Sequence, residues 1–129
     1  MANGTIAFDT LTTSDQVNTS TEKSIDTSYI FNGVAKAWLK TVEGASPADS
    51  FNISGVTDSS TGNYLIAINN DMSNAHYSVV VSKIVGGSAR DVNLGDDPAP
   101  TASAFEIFST ASSSTEDQTC YATVHGDLA

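Results

Sequence analysis

The chain has little of what several protein classes require. It has one cysteine, Cys120, so an internal disulfide framework and a Cys-rich zinc site are both excluded. Lys and Arg total 5 against 15 Asp and Glu, a net charge of −10. Five scattered cations cannot neutralise a phosphate track, so nucleic-acid binding through a basic face is not expected, and an anionic membrane surface would repel the chain. No apolar run approaches the roughly 20 residues of a membrane span, and no membrane insertion is expected. The first ten residues lack both a basic start and an apolar stretch, so no secretory signal is read there. Strong helix formers are sparse, which argues against a helical bundle.

What is present is Ser and Thr, 18 and 15 of 129 residues, with hydrophobic residues at 40%. That length suits one domain with one core. Residues 1–28 are polar, with one short strand predicted at Thr5–Phe8 and only Leu11, Val17 and Ile25 as aliphatic residues from Asp9 to Ser28. So sparse a segment cannot bury itself, and it reads as an extended N-terminal docking arm. Residues 29–129 read as a single β-sandwich domain. Tyr29–Lys40 is expected to be a strand with a bulge or bend at Asn32–Gly33, and Thr41–Asp49 a loop. Phe51–Val56 and Tyr64–Ile68 are two strands around the turn formers Thr57–Asn63, the pattern of a hairpin. His76–Val85, Ala104–Ser109 and Thr119–His125 read as further strands, Gly86–Pro100 as a long loop and Ala111–Asp117 as a turn. The expected fold is all-β: a small antiparallel sandwich, jelly-roll or Ig-like, of six to eight strands. Its core is expected to hold Trp38, Phe51, Ile53, Tyr64, Ile66, Ile68, Tyr77, Val79, Val81, Phe105, Ile107 and Tyr121.

Four stretches carry a resemblance: Val34–Leu39 (VAKAWL), Asp49–Val56 (DSFNISGV), Thr57–Tyr64 (TDSSTGNY) and Met72–Val79 (MSNAHYSV). Their order and spacing resemble a recurring tail-fibre-like domain of bacteriophage virion proteins, common in phages of marine bacteria and in cyanophages. The opening Asn3–Asp15 (NGTIAFDTLTTSD) is similar to the N-termini of such proteins. One departure lies in the loop Asp58–Gly62, DSSTG, where the family usually has a glycine two residues after the Asp; it puts the local turn geometry in doubt. The resemblance implies a β-sandwich on the virion exterior, often trimeric, made in the host bacterial cytoplasm. It implies contacts with other virion proteins or the host surface, a polysaccharide among the candidates, and no catalysis or cofactor. It carries over no binding residues, because the shared positions look like core and turn.

Three residues stand out as candidates for a ligand or interface: Trp38, His76 and Tyr77. Trp38, the sole tryptophan, is expected in the core; the alternative is a sugar-stacking platform, since aromatic faces suit the apolar faces of sugars. His76 and His125 lack any H-x-x-H spacing, so no metal site is read from them. Asp91, Asp96 and Asp97 do not match a calcium loop and read as solvated carboxylates. Cys120 reads as a small buried hydrophobe without a readable His partner. Glu43, Glu106 and Glu116 are the carboxylates a glycoside hydrolase would need, yet nothing in their spacing recommends it. Two functions compete: a tail-fibre-like attachment module and a capsid decoration or head-fibre protein with a purely structural role. A carbohydrate-active enzyme is the distant third. The chain has no heptads or repeats from which to build a fibre shaft.

Overall fold

The computed structural model describes residues 10–12, 24–43, 46–84 and 90–129. The strand expected at Thr5–Phe8 lies outside them. The chain divides into two compact units, Met1–Val34 and Ala35–Ala129.

In the first unit, β1 (Thr10–Thr12) pairs antiparallel with β2 (Ser24–Asp26), and α1 (Thr27–Gly33) follows at once. The helix corrects the expectation of a strand through Tyr29–Gly33. Asp26 is its N-cap and accepts the Ser28 N–H at 2.8 Å, satisfying a donor that the first turn leaves open. The chain turns extended at Val34, whose N–H still donates to the Ile30 carbonyl. The first compact unit ends at Val34, directly after α1.

The second unit is a β-sandwich, as the alternation of its segments predicts. One sheet is four-stranded, in the order β4 (Pro47–Phe51), β3 (Ala37–Thr41), β11 (Cys120–His125), β7 (Ser78–Lys83). The other is five-stranded: β5 (Ile53–Ser60), β6 (Asn63–Ile68) and β9 (Ala104–Ala111), with the two-residue β10 (Ser114–Thr115) and β8 (Arg90–Leu94) also on β9. Both β8 and β10 pair with Thr110 and Ala111, so they flank β9 on opposite sides, and β10 continues the line of β6. The first and last long strands, β3 and β11, lie side by side in the middle of their sheet.

Two expected loops contain strands. β4 (Pro47–Phe51) begins within the segment Thr41–Asp49 read as a loop, and Arg90–Leu94 forms β8 within the Gly/Pro/Asp-rich stretch. The segment read as one strand, Phe51–Val56, breaks at Asn52, which has φ 56. Asn52 staples the break. Its Nδ2 donates to the Lys36 and Asn70 carbonyls, and its Oδ1 accepts from Asn70 N and Nδ2. The β5–β6 hairpin closes with Ser60 opposite Asn63, leaving Thr61–Gly62 as the turn. Gly62 carries φ +80, and a Cβ there would stand 2.4 Å from the Ser109 carbonyl oxygen, so glycine alone fits. Ser60, where the family has its extra glycine, stays in the strand.

The inner faces meet in a core of Ala37, Leu39, Tyr64, Ile66, Ile68, Met72, Phe105, Ile107, Cys120, Ala122 and Val124. The two sheets share it unequally. Tyr64, Ile66, Phe105 and Ile107 come from β6 and β9, while β3 and β11 answer with Ala37, Leu39, Cys120 and Ala122. Beside Leu39 and Val124, the small Ala37, Cys120 and Ala122 leave room for the larger side chains opposite. Ile53, Tyr77, Val79 and Val81 pack against the edge of this core, partly buried. The expected core members Trp38, Phe51 and Tyr121 are not in it: Trp38 is 39% and Phe51 55% exposed, and Tyr121 is half-buried on the face opposite Cys120 and Ala122.

Candidate functional site: the outer face of the four-stranded sheet

Residues directly opposite across an antiparallel pair share a face. The registers of β4-β3-β11-β7 therefore place whole rows of side chains on the outer surface. One row runs Phe51, Trp38, Thr123, Val80. The next runs Asp49, Lys40, Tyr121, Ser82. On the other side of the first row, His125 stands opposite Ser78.

The first row is apolar and open. Phe51 and Val80 are 55% and 61% exposed, with Trp38 between them. The second row is made of hydrogen-bonding groups. Lys40 Nζ lies 5.8 Å from the centroid of the Tyr121 ring, a cation–π contact that holds the ammonium over the phenol. Lys40 and Asp49 are cross-strand neighbours of opposite charge.

The other sequence candidates have structural places. Tyr77 is half-buried, its hydroxyl 2.9 Å from both the Thr101 and Ala104 carbonyl oxygens, its ring edge-on to Phe105 at 6.4 Å. Burial pushes its hydroxyl pKa up. This side chain ties the β7 entry to the β9 entry, and its hydroxyl is engaged. His76 is exposed, with its backbone N–H donating to Asn74 Oδ1 at 2.7 Å. Among the described residues, no group of three or more His, Cys, Asp or Glu side chains is placed to hold a metal ion. Cys120 is fully buried; burial pushes its thiol up, partly offset by hydrogen bonds with Ser109 and Thr41 and by the Lys83 charge.

Glu106 is the carboxylate whose place was least expected. It lies on the face of β9 opposite the core residues Phe105 and Ile107, yet is only 4% exposed. It lines a recess of about 300 Å³ with Asn63, Leu94, Gly95, Asp96, Asp97 and Phe108. Burial raises its pKa; a hydrogen bond from the Asp97 backbone lowers it in part, and the charges of Asp97 and Asp96 raise it further. Asn63 Oδ1 is buried there without a hydrogen-bond partner. Glu43 stands in the exposed segment after β3, and Glu116 is half-buried after β10.

In comparisons with known proteins, no family model matches the chain, and no curated protein or solved structure matches it either.

The outer-face row was hidden from sequence reasoning by one step. The alternation in β3 is visible in AWLKT, but which face turns inward is set by the opposing sheet. A signal was present: Ala37, Ala122 and Cys120 are small, and small residues fit where bulky ones approach from across the core.

Proposed function

We propose that this protein is a non-enzymatic structural module of the bacteriophage virion exterior, tail-fibre-like in character, serving particle assembly and attachment to the host surface. The observation that carries the attachment role is the exposed aromatic pair Phe51–Trp38, set in register on an otherwise regular sheet face. Monomeric soluble domains seldom leave a tryptophan and a phenylalanine side by side at the surface without a binding role. The four stretches that carry the phage resemblance fall on β3, the β4–β5 junction, the β5–β6 hairpin and the entry to β7, strands of both sheets. The assembly role belongs to the N-terminal unit, through which the module docks on other virion proteins. The module is a homotrimer, made in the host bacterial cytoplasm.

The test is binding of fluorescently labelled protein to a panel of marine bacterial cells. Attachment predicts saturable binding that is lost in Phe51→Ala with its melting temperature retained. Binding to no cell in the panel, or equal binding by the variant, defeats it. Sedimentation tests the trimer, and a monomer at high concentration defeats that part.

A second reading, a capsid decoration or head-fibre protein with a purely structural role, draws on the first unit. There α1 buries none of its residues, and Ile25, Tyr29 and Val34 are 42%, 70% and 54% exposed. Such a surface gains by docking on the particle. Locating the chain by mass spectrometry on separated capsids and tails decides between the two.

A further inference from the structure

We infer that the outer face of β4-β3-β11-β7 is a binding platform for a neutral polysaccharide, an assignment that rests on the attachment reading above. Three properties of the face converge on this ligand class.

The first is the order of its rows. An apolar row, Phe51–Trp38–Thr123–Val80, runs beside a hydrogen-bonding row, Asp49–Lys40–Tyr121–Ser82. Four strands spaced about 4.8 Å apart make each row about 14 Å long, and the rows lie about 7 Å apart along the strands. A sugar chain has the matching profile: apolar C–H faces edged by hydroxyls. Laid along the first row, it stacks on Trp38 and Phe51 and turns its hydroxyls to the second.

The second is the hydrogen-bonding inventory. Lys40 only donates, ionised Asp49 only accepts, and Ser82, Thr123 and Tyr121 do both. A hydroxyl, donor and acceptor at once, satisfies every one of them. Lys40 is pre-positioned over Tyr121, so its ammonium loses little freedom on binding.

The third is charge. The protein carries −10, yet within the two rows Lys40 is cancelled by the Asp49 opposite it. A polyanion meets a repulsive body and no net cation within the two rows; an uncharged glycan meets neither penalty.

Trp38 is the sole tryptophan, so its fluorescence reports on the platform directly. The full chain is titrated with three neutral polysaccharides (dextran, laminarin and mannan) and with alginate as an anionic control. The expected result is a saturable change in Trp38 emission with at least one neutral probe and none with alginate. Phe51→Ala should bind that probe about tenfold more weakly, the loss of one aromatic stacking partner, and Phe51→Tyr should restore it, both with melting temperatures near the parent's. Silence towards all three neutral probes, or a response to alginate alone, overturns the proposal. So does an emission shift that follows protein concentration without any probe and vanishes in Phe51→Ala, because a second copy then covers the face. The failures separate cleanly. Cell binding that depends on Phe51 without any glycan response overturns the sugar platform and leaves attachment standing. A glycan response without cell binding does the reverse.

Discussion

Glu106 is a carboxyl group set in the wall of a β-sheet beside two other carboxylates, Asp96 and Asp97. Its folded-state pKa is raised, so the folded chain holds the Glu106 proton more tightly than the unfolded chain does. The linked stability is fully present below the unfolded value of 4.5 and is lost as pH rises through the raised folded value. Glu106→Gln removes the charge while keeping an acceptor for the Asp97 N–H. Thermal melts should show the variant more stable than the parent at pH 7, with the difference shrinking towards zero as pH falls below 4.5. Gly62 makes the opposite kind of prediction. Its positive φ and the Ser109 carbonyl oxygen standing where a Cβ would go leave no room for a methyl group. Gly62→Ala should cost about 2–4 kcal/mol in urea unfolding, because strain and a clash with backbone act together. Gly62 was legible in the sequence as a turn residue, but Glu106 was not legible as buried. Glutamate is rarely buried, and only the fold, which lays Gly95, Asp96 and Asp97 against it, takes its side chain out of solvent.

Elements were legible where their own composition alternates and ends in turn formers. The hairpin β5–β6 and strands β7, β9 and β11 follow from alternation and turn residues near their ends. Helix α1 does not alternate, but Asp26 before it and Asn32–Gly33 at its end are start and stop signals. Reading Asn32–Gly33 as a bulge within one long strand passed over them. β4 (PADSF) and β8 (RDVNL) were illegible because their polar, Pro- and Asp-containing composition does not read as strand, and pairing with β3 and β9 overrides it. Thr41 shows how such pairing is secured. At the end of β3 the register shifts between Lys40 and Thr41, and the fully buried Thr41 hydroxyl accepts the Cys120 N–H at 2.8 Å. Thr41→Val keeps the shape and strands that donor in the core. Chemical denaturation should show a loss of about 1–3 kcal/mol.

At the scale of the whole molecule, the consequence is a sandwich whose four-stranded sheet carries Phe51, Trp38 and Val80 on its outer face. If Trp38 belonged to the core, Trp38→Ala would cost about 3–5 kcal/mol. On the outer face it should cost about 1 kcal/mol by denaturant melt and abolish attachment to cells. The division at Val34/Ala35 makes a further prediction. Residues 35–129 alone should give a cooperative melt and a β-type circular dichroism spectrum, while failing to incorporate into particles. Normal incorporation would remove the docking role from the first unit.

The amino-acid pattern by itself determined an all-β sandwich, a net charge of −10, and the hairpin around Thr61–Gly62. These follow from alternation, composition and turn chemistry, which act over a few residues or over the whole chain. The tertiary structure decided which side of each strand faces in. Alternation in β3 is equally compatible with Trp38 inside or outside. The bulk of Tyr64, Ile66, Phe105 and Ile107 across the core admits Ala37 and Leu39 and turns Trp38 to the surface beside Phe51. Packing volume, a property of two sheets together, chose the face on which the proposed function rests.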